Sequence, residues 1–188
     1  MVFLDVGLLA LVLGKLLGGT LTNLGTTRVR GKELAFAAIG LQLVAFPSDL
    51  LPWSTPTSVA KVLWLGSYTL LGAMVVLNRR VDGVPVVAAG LVCNLVAIVA
   101  NGGLMPVRPG ALAASGGHYA VHNNSIQLGH PHVALLVDRW AAPAWVPFAN
   151  VFSVGDVLIA LGIAAAVVSC MRGGSRRMRL LARELPGG

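Results

Sequence analysis

The stretch SVAKVLWLGSYTLLGAMVVLNRRVDGVPVVAAGLVCNLVAIVA, residues 58–100, decides the fold. It holds two apolar runs, about Ser58 to Leu77 and about Val84 to Ala100, joined by a short loop that carries Arg79 and Arg80. A helix needs about 20 mostly apolar residues to cross the hydrocarbon core of a bilayer, with roughly 17 as the lower limit. Both runs meet that length, and the short loop makes them antiparallel neighbours. Three further runs lie outward from this pair: about Val2 to Leu17, about Lys32 to Phe46 and about Ser153 to Met171. The run from Lys32 is short, because Pro47 and Asp49 punctuate its end.

The loops between the runs alternate in charge. The first carries Arg28, Arg30 and Lys32, and the second carries Asp49 alone. The third carries Arg79 and Arg80. The long fourth connection, residues 101–152, has only Arg108 and Arg139, and the tail carries Arg172, Arg176, Arg177, Arg179 and Arg183. Basic loops face the cytoplasm. Without the short run at Lys32, the first and third loops would fall on opposite sides, so all five spans are needed. The expectation is an all-α integral membrane protein, a single transmembrane domain over residues 1–188. Its five-helix bundle has spans at about 2–17, 32–46, 58–77, 84–100 and 153–171. An extracytoplasmic cap loop, 101–152, joins helices four and five, and a basic cytoplasmic tail, 172–188, follows. The N-terminus is expected outside, in a bacterial inner membrane. The opening MVFLD has no Lys or Arg ahead of its apolar run, so the first segment reads as a retained span and not as a cleaved signal.

Composition agrees with this class. Only 11% of residues are charged, against about 25% in soluble domains. The net charge of +7 is distributed beside the apolar runs and forms no single solvated patch. The partner it implies is the lipid bilayer, with no nucleic acid. Cys93 and Cys170 lie inside spans at different depths, a placement that argues against a disulfide. Lys15 reads as a snorkelling residue near the end of the first helix. Trp53, Trp64, Trp140 and Trp145 read as headgroup-level anchors. Gly7, Gly14 and Gly18 on the first helix, and Gly162 with Ala166 on the last, are small residues spaced for close helix contact.

The cap is the least ordinary part. Loops longer than about 15 residues are usually functional or disordered. The run HVALLVDRWAAPAWVPFANVF from His132 is too apolar for a free linker, and it reads as an interfacial or re-entrant cover. All four histidines, His118, His122, His130 and His132, fall in the cap. They read first as an ordinary polar loop and only secondarily as metal ligands, because no carboxylate or Cys in the sequence nearby completes a zinc set. None lies within a span to ligate a haem, and no cofactor is implied.

Two motifs flank the cap: Asn101-Gly102-Gly103-Leu104-Met105-Pro106-Val107 and Asn150-Val151-Phe152-Ser153-Val154-Gly155-Asp156. Read structurally, Asn101 and Gly102 end a helix, while Ser153 and Asp156 form a capping box that starts one. Read functionally, Asn94, Asn101, Asn150, Ser153 and Asp156 form a polar cluster with Asp138 beneath the cap. Asn94 lies two helical turns before Asn101, on the same side. Asp138 and Asp156 are then candidate acid/base groups. Asn94 also reads simply as interhelical glue.

These motifs, with the Gly18–Leu24 run GGTLTNL, resemble an uncharacterised bacterial family of small multi-span membrane proteins, a domain of unknown function. The resemblance implies a bacterial inner-membrane protein and no particular activity. The leading functional expectation is a non-enzymatic accessory or structural subunit of a larger membrane complex, with other membrane protein subunits as partners and a respiratory or photosynthetic host. The alternative is a membrane-embedded enzyme acting on a lipid or isoprenoid at the outer boundary. A small transporter is third.

Overall fold

The computed structural model describes residues 2–47, 53–114, 124–143 and 151–173, with backbone alone for residues 2–5 and Leu112. The chain is mostly helical. Each apolar run forms a helix within a residue of its expected bounds: α1 (Val2–Leu16), α3 (Lys32–Ala45), α4 (Thr57–Leu77), α5 (Val84–Ala100) and α7 (Val154–Met171). Two of them, α4 and α7, are long and apolar enough to cross a membrane, and α5 and Val6–Leu16 of α1 are shorter apolar helices. Two short helices, α2 (Leu21–Thr26) and α6 (Pro109–Ala114), were not anticipated.

The cap departs from an all-α description. It contains β1 (Met105–Val107), β2 (Ser125–Gln127), β3 (Trp140–Ala141) and β4 (Val151–Phe152). β1 pairs in parallel with β2, and β3 pairs antiparallel with β4. On its other side β1 bridges to Asp138, whose N–H donates to the Pro106 carbonyl at 3.0 Å. Such pairing is consistent with the extended preference of residues before and at proline. The N-G-G motif makes the turn into β1. Gly103 N–H donates to the Ile98 carbonyl and Gly102 N–H to that of Val99, with φ of +90° and +80°. This is a Schellman closure of α5, and it needs residues without a Cβ penalty.

In the bundle α3 packs on α4, α5 on α7, and α1 on α7, with α4 set more lightly against α5. The α5–α7 contact is a backbone contact. A Cβ on Gly90 would come within 2.7 Å of Ile159 Cγ1 and 2.8 Å of Ile159 N. One on Gly162 would meet Val87 N at 2.6 Å and the Gly83 carbonyl at 2.7 Å. Gly83 and Gly155 are closed in the same way, against Gly162 and Ala166, and against Asn94 and Gly90. The pairs Gly83 with Gly162 and Gly90 with Gly155 share one antiparallel register, seven residues apart on each helix. On α1, Gly14 meets Met171 and Gly7 has nothing within 4 Å, while Gly18 lies past the helix end at φ +80° and also has nothing within 4 Å. The α1 seam therefore uses one of its three expected glycines.

Asparagines at two helix ends clamp the connecting chain. Asn78 ends α4; its Oδ1 accepts from Arg30 N–H at 2.9 Å, and its Nδ2 donates to the Arg30 carbonyl at 2.7 Å. Asn101 ends α5 and pairs with the backbone of His132 in the same two-way fashion, at 2.8 and 3.0 Å. Met105 and Val137 from the cap then pack with Ala97 and Ile98 of α5.

The glycine seam yields a direct expectation. Gly90→Ala and Gly162→Ala lower the thermal midpoint of the purified protein, each by the equivalent of about 1–3 kcal/mol for overpacking. Gly40→Ala and Gly72→Ala, where a Cβ meets nothing within 4 Å, leave it unchanged or slightly raised. Thermal unfolding of the four variants in one detergent checks this.

Candidate functional site

Between the α3–α4 hairpin and the α5–α7 pair lies a cavity of about 690 Å³. It runs from Leu24, Val29 and Cys170 at the basic-loop end to Met105, Ser125 and Phe152 under the cap. Its walls are largely aliphatic, with Ile39, Leu71, Leu91 and Ile163 among them. Polar side chains gather beneath the cap: Asn94, Asn124, Ser125, Asp138 and Asp156, with Trp64 and Tyr68 facing them from α4. A cavity of this size falls within the roughly 300–1,000 Å³ range of small-molecule sites, which pair apolar walls with a few placed polar groups.

The polar end is built on the start of α7. Ser153 is the N-cap and Asp156 the third helical residue of a complete capping box. Asp156 N–H donates to Ser153 Oγ at 3.1 Å, and Ser153 N–H donates to Asp156 Oδ2 at 2.9 Å. Asn94 reaches across from α5, its Nδ2 donating to Asp156 Oδ1 at 2.9 Å. The Ser153 hydroxyl lies 2.8 Å from Asn94 Oδ1 and 2.9 Å from Asp156 Oδ2, and its single proton serves one or the other. Both oxygens of Asp156 are therefore engaged.

Asp138 differs. It is 6% exposed, and its Oδ1 is buried with no hydrogen-bond partner. Burial, and then the negative charge of Asp156, push its carboxyl from the ordinary 3.8 up to about 8. The group is therefore held mainly protonated at neutral pH. The indole N–H of Trp64 is likewise buried without an acceptor. Trp64 packs edge-on between Phe46 and Tyr68, with ring centroids 5.3 and 5.4 Å away. The sequence reading made Trp64 a headgroup anchor like Trp53. The helical phase of α4 instead turns it inward, and its periodicity with Tyr68 was the available signal.

The remaining candidates divide. Asn94, Ser153 and Asp156 come together, and Asp138 faces the same cavity. Asn101 does not join them: its amide is taken up by His132 and the Ala97 carbonyl, because the chain leaves the helix there and must be clamped. Asn150, His118 and His122 lie outside the described residues. His130 and His132 are exposed, and among the described residues no three His, Cys, Asp or Glu side chains gather at metal-binding distance. Cys93 and Cys170 are both free thiols.

The model of a family of unknown function, DUF5317, matches residues 26–168, a span that holds Asn94, Trp64, Asp138 and the whole capping box. The chain belongs to this family. DUF5317 as matched here begins at the end of α2, so the cavity walls from α3 onward fall almost wholly inside it. An uncharacterized protein of Thermotoga maritima is 29% identical over 170 residues, covering 85% of this chain and 86% of the relative. No solved structure matches the chain.

The raised carboxyl carries a linkage consequence. In the folded protein Asp138 keeps its proton to about 8, whereas in the unfolded chain it loses it near 3.8. The folded state thus binds more protons between those values, and stability falls as pH rises through that window. Between pH 5 and 8 the thermal midpoint of the parent protein drops more than that of Asp138→Asn, which has no proton to lose. Parallel melts of the two proteins across that range check the sign.

Proposed function

We propose that this DUF5317 protein is a multi-pass protein of the bacterial cytoplasmic membrane that binds a single amphiphilic lipid within its bundle. The ligand's apolar chain lies between the α3–α4 hairpin and the α5–α7 pair, and its head sits beneath the cap. The observation that carries the reading is the cavity itself, aliphatic along its length, with most of its polar groups at one end. A protein built only to fill space would close this volume with side chains, since interiors pack to the density of organic crystals. The five spans and their orientation belong to the same proposal. Alternating basic loops support a cytoplasmic tail and an external cap. α3 is short for a span but carries exposed Phe36 and Leu43, an outward face suited to lipid. In that orientation the ligand head lies toward the outer leaflet.

The accessory-subunit expectation is separated from this reading by one preparation. The protein is purified from its native membrane in mild detergent, and the fraction is extracted and analysed for lipids and proteins by mass spectrometry. The expected result is one amphiphile retained at close to one per chain after extensive washing, and its loss when Ala35 on the cavity wall is replaced by Trp. Recovery of detergent and bulk lipid alone overturns the lipid-binding reading. A second protein at fixed stoichiometry, with no retained amphiphile, favours the subunit reading instead.

A further inference from the structure

We propose that the head of this ligand is uncharged and presents an acceptor oxygen, such as a ring or ester carbonyl, to Asp138 and Trp64. The inference rests on the lipid-binding reading above and adds the chemical class of what is bound. It follows from what the cap end offers and what it withholds. Among the described residues, no Lys or Arg lines the cavity. A phosphate or carboxylate head would therefore be buried beside two acidic side chains with no counter-charge, and burying an unpaired charge is costly.

A cationic head fares little better. The carboxylate of Asp156 is already engaged by Ser153 N–H and Asn94 Nδ2. Asp138 would have to give up its proton in a buried, largely apolar place to receive a cation. The hydrogen-bonding capacity left over is donor capacity. The indole N–H of Trp64 has no acceptor, and Asp138 Oδ1 has no partner. Both line the same cavity, and Trp64 packs against the cluster that contains Met105 and Val137, the residue before Asp138. A protonated Asp138 and the Trp64 indole are two donors on the lining of one cavity, and an oxygen with two lone pairs can accept from both. Unmet buried donors carry a standing penalty that such an oxygen would remove.

The full-length protein is reconstituted in lipid nanodiscs, and binding of a decyl-substituted benzoquinone is measured against empty discs. Decyl phosphate, decylamine and decane serve as competitors with the same tail. The expected order places the quinone at least about tenfold tighter than each competitor, the worth of one to two net hydrogen bonds. Asp138→Asn keeps a donor and retains binding. Asp138→Leu removes the donor, and Trp64→Phe removes the N–H together with part of the indole, so each weakens the quinone about tenfold. Trp64→Phe keeps an aromatic ring at a half-buried position, so it stands as the test if Asp138→Leu does not fold, with decane binding reading any loss that comes from the smaller ring alone. Tighter binding of the phosphate or the amine, equal binding of decane, or unchanged affinity in Trp64→Phe overturns the inference while leaving the lipid cavity intact. Failure of all four compounds to bind overturns the lipid-binding reading and this inference with it.

Discussion

Where α5 and α7 cross, their backbones are in contact, and most of the architecture follows from that approach. Gly83 and Gly90 face Gly162 and Gly155 in a single antiparallel register, so two turns of each helix are fixed against the other. An interhelical hydrogen bond within a membrane contributes about 0.6 kcal/mol on average. Forcing even a methyl group into a closed contact costs about 1–3 kcal/mol. The seam therefore sets the geometry, and the polar cluster is arranged by it. Gly155 leaves room for the Asn94 amide, where a Cβ would collide with Asn94 Oδ1. That space lets Asn94 reach Ser153 and Asp156 at the first turn of α7.

The same seam determines where the bundle is left open. With α5 and α7 pressed together and α3 held to α4 by the Gln42–Ser67 hydrogen bond, the unfilled volume falls between the two pairs. The ends are closed by backbone clamps. Asn78 grips Arg30, Asn101 grips His132, and Asn23 donates to the Met171 carbonyl at the end of α7. Each uses a side-chain amide in place of a peptide group: Asn78 and Asn101 hold loop backbone, and Asn23 meets a carbonyl at a helix end. The cap is thus tied to helix ends at Asn101 and Ser153, and β1 between them holds Asp138 beside the cavity through the bridge at Val107.

The sequence made the helices legible to within a residue because each was bounded by a signal with a physical cause: a basic loop, a capping serine, or a glycine turn. The capping box at Ser153 was legible for the same reason, since its chemistry is local. What stayed hidden was nonlocal. The parallel pairing of Met105–Val107 with Ser125–Gln127 joins strands of three residues, too short for an alternating pattern to show. The inward turn of Trp64 was half legible: its spacing from Tyr68 puts both on one face of α4, but which face turns inward depends on contacts with α5. Asn101 shares a helical face with Asn94, yet its partner is the His132 backbone, and no spacing rule within α5 contains that residue. Gly90 and Gly155 escaped notice because each seam partner lies on a different helix, seven residues from the next.

Asp138 and Asp156 show how similar side chains at one end of a cavity come to differ. Asp156 stands in the first turn of a helix, where exposed N–H groups and the helix dipole favour negative charge, and its oxygens are met by Ser153 and Asn94. Asp138 stands at a strand bridge, where backbone groups are already paired: its own N–H with Pro106 and its carbonyl with Arg108. No donor remains there for Oδ1. Burial first, and then the negative charge of Asp156, make the protonated state the less costly one for Asp138. A carboxyl that keeps its proton becomes a hydrogen-bond donor, so the division of roles between the two residues is set by their backbone contexts and not by their side-chain chemistry.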